Sequence, residues 1–473
     1  MAAVLEHPSP PDASPAPLSN ALADFAARFR YEDIPAAIRE RAKHLMLDAL
    51  GTGLAATHFE FAHRAHAAAL ELGGRGDIPV LGFGTKLPLR DAVMLNAILM
   101  HGLDYDDTHL PGAIHATTSV FPCALGLGAH LGRSGRQLLA AYVLGVETAT
   151  RLAAAAKGGF HQVGFHPTGL VGAFGCAFAA GHLYGLSAAQ HATAQGIALS
   201  VASGSLEFLE DGAWTKRLHP GWAASGGITA AVLARNGFVG ATRPYEGRFG
   251  LYASHLGKGA ADVDLGRITR GLGTVWEIDE VAVKPYPLCH FVHALADCAI
   301  ALRARGVRAE DIADIRALVP KEVVKTVCEP LDKKRRPAND YDAKFSAPYV
   351  ASTALLRGRF GLDELEPAAL SDAQALALAQ KVSYEPDPKS GFPKYYSGEL
   401  VVRLKDGREL RHREEINRGA GERPISNTEV AAKFLDNAGL VMSRDNAERI
   451  RDALLALDSA PDARGLAALV CGL

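Results

Sequence analysis

The sequence predicts a mainly α-helical protein with an α+β insertion, in which a large all-helical domain built from both chain ends carries a smaller α/β lid domain. Three observations predict it. Apolar residues recur at helical spacing from Leu18 to about residue 260, as in helices that bury one face or their whole circumference. Near Val275 the texture changes to extended runs and a hairpin pattern. Amphipathic helix then returns in TEVAAKFLDNAGLVMSRDNAERIRDALLAL. A chain of 473 residues is also too long for one ordinary core, so two domains are expected.

Residues 1–17, MAAVLEHPSPPDASPAP, are proline-rich, lack the apolar core of a signal peptide and read as a flexible tail. The helical domain follows over residues 18–275. LSNALADFAARF and IPAAIRERAKHLMLDALGTGLAA supply its first helices, with Pro35 suited to a first turn. RQLLAAYVLGVETATRLAAAA and TGLVGAFGCAFAAGHLYGL are apolar nearly all round and belong at its centre, where their small residues allow close packing. Within the insertion, residues 276–406, IADIRALVP and QKVSYEPD read as strands, and FVHALADCAIALRARG and SAPYVASTALLRGRF as helices. GELVVRLKDGRELRHREE reads as a hairpin turning at Asp406-Gly407. Residues 407–473 complete the helical domain.

Composition narrows the function. A net charge of −2, from 50 basic and 52 acidic residues, speaks against nucleic acid and against a membrane surface as partners. The apolar stretches are interrupted before the roughly 20 residues that span a bilayer. Six cysteines without a CxxC pair argue against a structural zinc site, a compact iron–sulfur motif or a secreted disulfide framework. The expectation is a cytoplasmic globular protein.

Five polar stretches stand out. HGLDYDDTHLPGAIH, residues 101–115, sets three carboxylates and three histidines between apolar segments, where an unpaired charge is costly. If the helix continues, Asp104 and Thr108 share a face at i, i+4; Asp106 and Asp107 read as structural. The alternative is a solvated connection with capping aspartates. Histidines and carboxylates could also ligate a metal, but neither HExxH nor an EF-hand pattern is present, and the expectation is no metal. GGFHQVGFHPTGLVGAF, residues 158–174, places His166 before a glycine-spaced helix whose first amides could face an anion, or form a plain capping turn. DGAWTKRLHPGWAASGG, residues 211–227, carries Lys216, either a point charge for a substrate carboxylate or a surface lysine. VAVKPYPLCHFVHALADCA, residues 281–299, gathers Lys284, Cys289 and His290. Lys284 could act as base or anion anchor, and Cys289 is either a reactive thiol with a lowered pKa or a small buried residue. NDYDAKFSAPYVASTALL holds Tyr349, a candidate donor or a core-edge phenol.

Taken together, LDYDDTH at 103–109, GFHPTGLVGAFG at 164–175, TKRLHPGWAA at 215–224, KPYPLCHFVHA at 284–294 and KFSAPYVA at 344–351 resemble the MmgE/PrpD family, which includes 2-methylcitrate dehydratase, cis-aconitate decarboxylase and iminodisuccinate epimerase. The resemblance covers nearly the whole chain after the tail, in one order. It implies a homodimer, catalysis without cofactor or metal, and a small polycarboxylate substrate. By the same resemblance Asp104, Thr108, His115, His166, Lys216, Lys284 and Tyr349 line the pocket, joined by His109, Cys289 and His290 as substrate-binding candidates. Two differences leave the substrate open: the run from Thr108 to His115 is one residue longer than in the decarboxylase pattern, and Cys289 stands where that pattern has a histidine. The expected activity is a lyase dehydrating a hydroxy-polycarboxylate such as 2-methylcitrate, with epimerisation or decarboxylation as alternatives. The chemistry common to all three builds charge beside a carboxylate carbon. It needs cations for the carboxylates and an acid and a base at the reacting carbon; Asp104 and His166 are the expected base and acid, with His115 and Tyr349 as alternative proton donors.

Overall fold

A computed structural model describes residues 16–471; the expected tail lies outside them up to residue 15. The chain is mainly helical, with its small sheets confined to short pairings and one four-stranded sheet. At the centre of the helical part lie Thr117–Leu131, Gly135–Ala155, Pro167–Tyr184 and Thr215–Arg235. Ser134 and Gln137 close a capping box at the start of Gly135–Ala155, satisfying amides that the first turn leaves open. This helix packs on Pro167–Tyr184 backbone to backbone: a Cβ on Gly175 would stand 2.5 Å from the Gly145 carbonyl oxygen. Only glycine permits that approach.

Gly135–Ala155 is long and apolar enough to cross a membrane by length and composition, contrary to the expectation that no stretch would be, but its apolar window is wholly buried inside the protein. It carries a buried Glu147–Arg151 pair at 3.3 Å, and Glu147 accepts the Ile278 amide at 2.9 Å. These contacts mark a core helix. Pro35 stands one position before the Ala36–Ala56 helix as its N-cap, rather than in the first turn.

The chain buries two separate apolar clusters. One runs from Leu22 to Val283 and takes in Ile425 through Val470 from the far end. The other spans mainly Tyr286 to Ala420. Within it the strand order is Val382–Pro386, Ile312–Val319, Gly398–Leu404, Glu409–Glu414. The first pair is parallel, with Ile315 opposite Val382, and the others are antiparallel. Helices His293–Ala304 and Ala347–Arg357 pack on this sheet. The second hairpin strand lies beyond residue 406, the boundary expected from sequence, because its pairing with Gly398–Leu404 keeps it in the sheet. Buried apolar residues of this cluster continue as far as Ala420.

One small pairing positions the site. Thr108–His109 forms an antiparallel bridge with Val281–Ala282, with Thr108 opposite Ala282. It ties the polar turn after helix Leu89–His101 to the segment that enters the α/β part, and so brings Lys284 to a turn 180 residues earlier.

Candidate active site

The polar turn is fixed by its backbone first. Helix Leu89–His101 stops at Gly102, and the next four carbonyls each accept from a cation of a different segment. Arg217 donates to Gly102 at 2.8 Å, Lys344 to Leu103 at 2.8 Å, Lys284 to Asp104 at 2.9 Å and Lys433 to Tyr105 at 2.6 Å. Cations at a helix C-terminus complement its dipole and its unpaired carbonyls. Within this collar Asp104 adopts φ 51°, a left-handed conformation that aspartate tolerates better than most residues. The expected helical face shared by Asp104 and Thr108 is therefore absent: the helix has ended, and Thr108 lies in the bridge strand. Both still reach one cavity.

That cavity is lined by Asp104, Thr108, His115, His161, His166, Lys216, Lys284, Cys289 and His290, with Phe208, Phe291, Phe345 and Tyr396 among its apolar walls. Those apolar walls belong to the second apolar cluster, whereas Asp104, His115, His166 and Lys216 come from segments of the helical part, and ligand sites commonly lie between structural units in this way. The cavity spans ≈ 440 Å³ between atoms, open solvent included, of which ≈ 30 Å³ admits the centre of a water molecule.

Asp104 is fully buried and clamped between two ammonium groups, Lys284 at 2.6 Å on one oxygen and Lys216 at 3.0 Å on the other. Burial alone would push its carboxyl up, but Lys216 and then Lys284 outweigh that and hold it well below the usual carboxylate range. Lys284 is likewise wholly buried, and Asp104 keeps it charged against desolvation. Asp104 is thus a fixed anion between two cations and a poor base. Lys216 lies 4.9 Å from the Phe345 ring centroid, and Asp104 is its one acidic partner among the described residues, leaving ammonium hydrogens for a ligand.

The histidines are set by what faces their Nδ1 atoms. His115 Nδ1 lies 2.7 Å from the Asp107 carbonyl oxygen and 3.1 Å from an Asp106 carboxylate oxygen. Both are acceptors, so Nδ1 carries the hydrogen and Nε2 presents a lone pair. His101 Nδ1 lies 3.0 Å from Asp106, with the same consequence. His166 caps helix Pro167–Tyr184 and pairs through Nδ1 with His219 Nδ1 at 2.9 Å. Burial pushes His115 down to about 4 and His166 further below its ordinary value. Amides around this helix start are taken up within the chain, His166 donating to the Gly204 carbonyl and Gly169 and Leu170 to the His166 carbonyl, while the Thr168 hydroxyl accepts the His115 amide at 3.0 Å.

Two candidates lie elsewhere. Tyr349 is buried in the α/β core, where its hydroxyl donates to the Glu364 carbonyl at 2.8 Å and its ring packs at an edge on Phe360; Tyr396 is the tyrosine that lines the cavity. His109 points away from Thr108, as neighbours on a strand must, and binds Glu277 at 3.0 Å beside Arg267. That leaves His115 as the histidine of this segment on the cavity. Cys289 does line it, but burial pushes its thiol up to about 11, which fits the buried-residue reading rather than the reactive one. His290 accepts from the Asn417 amide at 2.7 Å.

Asp106 and Asp107, which read alike in sequence, separate here. Asp106 stays ionised against its burial because His101 and His115 flank it. Burial pushes Asp107 up to about 8, and its carboxyl takes the Thr117 hydroxyl. A larger cavity, ≈ 1200 Å³ between atoms, is lined by Arg217, Asp340 and Lys344 among others, but these cations are already engaged with backbone carbonyls and Asp340.

Two outcomes are expected at once. Tyr349→Phe removes one buried hydrogen bond about 1 kcal/mol in strength and should leave kcat within twofold; a larger fall would put the phenol in the reaction. The neutral histidines make stability pH-dependent. His115, His219 and His293 sit at about 4, 3 and 3 through burial, against about 6.5 when unfolded. The unfolded chain takes up these protons first, so stability is intact above about pH 6.5 and falls toward pH 4, by up to ~1.4 kcal/mol per unit for each group. The difference in Tm between wild type and His293→Gln should be constant above about pH 6.5 and shift in the variant's favour below it. The comparison cancels the opposite drift from Asp107, which burial holds up to about 8; a pH-independent difference would contradict the buried neutral state.

The fold and this pocket define a helical protein with an α/β unit and a cationic, water-poor site between them. Residues 20–264 match the MmgE/PrpD N-terminal domain and residues 286–459 the MmgE/PrpD C-terminal domain. The chain belongs to the MmgE/PrpD family. Among its relatives, cis-aconitate decarboxylase of Homo sapiens is 31% identical over 451 residues, covering 92% of this chain and 90% of that protein. The Mus musculus cis-aconitate decarboxylase is 29% identical over 453 residues, 92% and 89% of the two chains. The cis-aconitate decarboxylase-like protein oryM of Aspergillus oryzae is 24% identical over 469 residues, 95% and 96%.

Proposed function

We propose that this protein is a cofactor-independent lyase that decarboxylates a small unsaturated tricarboxylate of the cis-aconitate kind. The observation that carries the reading is the clamp on Asp104: with both oxygens held by Lys216 and Lys284, the site's carboxylate is not free to abstract a proton. Dehydration begins with such an abstraction, whereas decarboxylation needs cations that stabilise the developing charge and a proton for the carbanion. The relatives' decarboxylase names support the same choice over the dehydration expected from the sequence.

In this mechanism the substrate's carboxylates take the spare hydrogens of Lys216 and a share of Lys284, with Thr108 as a further donor. The trianion raises the proton affinity of His115, which enters the complex as imidazolium. The breaking carbon–carbon bond leaves its electron pair in the allylic system, held against the ammonium groups through the adjoining carboxylate. Carbon dioxide departs, and His115 Nε2 returns one proton to carbon. The apolar walls of Phe208, Phe291 and Phe345 keep water from competing.

A second reading rests on the His115 lone pair, which could serve as base for dehydrating a hydroxytricarboxylate such as 2-methylcitrate. Incubation with cis-aconitate, citrate, 2-methylcitrate and iminodisuccinate, followed by NMR, separates the two. Conversion of cis-aconitate to a five-carbon dicarboxylate supports decarboxylation. Loss of water from 2-methylcitrate with cis-aconitate untouched would overturn it.

A further inference from the structure

We infer that His101, His115 and His166 form a binding site for one divalent transition-metal ion of zinc's class, and that the bound ion switches the pocket off. The site itself rests on geometry alone; only its inhibitory effect rests on the role proposed for His115. One ring nitrogen from each histidine lies within 4.8 Å of the other two, and the rings stand with centroids 4.8, 5.6 and 5.7 Å apart. Each ring is anchored through Nδ1, on Asp106, on the Asp107 carbonyl and on His219 respectively. The Nε2 atoms of His101 and His166 are buried without a hydrogen-bond partner. An unsatisfied buried nitrogen calls for an explanation; two beside a third inward-facing imidazole have a natural one.

The outer contacts match a metal site. A histidine ligand usually gives its other ring N–H to a carboxylate or a backbone carbonyl, which fixes the tautomer. Asp106 does this for His101, and the Asp107 carbonyl for His115. His219 donates or accepts at His166 as the tautomer requires. Three histidines leave a fourth position for water or ligand, with Zn–N bonds of ~2.0–2.1 Å. Lys216 and Lys284 would repel the ion, but Asp104 and Asp106 balance them. The ion would occupy the Nε2 lone pair on which His115 must carry its proton.

The test uses the untagged full-length protein freed of metal, titrated with Co²⁺ and Zn²⁺ alone. One equivalent of Co²⁺ should give the visible absorption of a nitrogen-rich, low-coordinate site, and His101→Gln and His166→Gln should each abolish it while retaining native circular dichroism. X-ray absorption of the zinc-loaded wild-type protein keeps the proposal testable should the variants misfold: it should show three imidazoles at ~2.0–2.1 Å and no sulfur. Absence of a cobalt band, persistence of the band in both variants, or a sulfur shell would overturn the site. Where turnover is established, one equivalent of Zn²⁺ should lower it more than tenfold, reversibly with chelator. Unchanged turnover with the ion demonstrably bound would overturn the switch while leaving the site standing.

Discussion

Asp104→Asn should cost both function and stability: turnover at least a hundredfold lower and folding about 3–5 kcal/mol weaker. Lys216 and Lys284 are 4% and 0% exposed, and Asp104 is the carboxylate that both contact. Asparagine keeps the size and tolerates the left-handed backbone, so the change isolates charge. Two buried ammonium groups then face each other without a counter-ion, and one must lose its proton or drive the pocket open. Denaturant titration and kcat on the same preparation measure both effects. Adding Lys284→Met to the variant should restore part of the stability, because a buried charge pair removed as a whole is tolerated better than a broken one. Activity should not return. If Asp104→Asn alone were as stable as wild type, the clamp would not be holding charge.

His115→Gln carries the second large expectation, a fall in kcat of about 10²–10⁴, the range for removing a positioned proton donor. Glutamine can still reach the Asp107 carbonyl, so the loop should hold and Tm should move little. His109→Gln, next on the bridge strand to Thr108, breaks the bond to Glu277 and should do the reverse, lowering Tm with kcat retained. The pair of variants separates chemistry from architecture within one short segment. Comparable kcat losses in both would mean that the loop, not the His115 proton, limits turnover.

Much of this was legible in the sequence, and the misses share a cause. Long apolar helices such as Gly135–Ala155 and the hairpin about Gly407 carry periodic or turn signals that act locally. The cavity residues Asp104, Thr108, Lys216, Lys284, Cys289 and His290 could be picked out because polar groups sat inside apolar runs, and a resemblance tied the five stretches together. What failed depends on contacts between distant segments. Thr108 and His109 are neighbours, and a two-residue strand has no period from which to tell the inward side chain from the outward one. Tyr349 sits in a stretch that looks the same whether its phenol meets substrate or the Glu364 carbonyl. Asp106 and Asp107 are chemically identical until His101 and His115 close on one of them. The cations of Arg217, Lys344 and Lys433 gave no signal, because they act on backbone carbonyls up to 328 residues away. The left-handed turn at Asp104 sits within that collar of distant cations, so the helical spacing from Asp104 to Thr108 suggested a continuity that the fold does not keep.

The central claim is that a buried pair of lysines and His115 carry out carboxylate chemistry in which one solvent-derived proton is delivered to carbon. The most direct measurement is turnover of cis-aconitate in deuterated water with chelator present, with the product read by NMR and mass spectrometry. The account predicts a five-carbon dicarboxylate bearing one deuteron at the carbon protonated after carbon dioxide leaves, with its formation abolished in Lys284→Met. Product that carries no deuteron, or formation that survives the loss of Lys284, would contradict it.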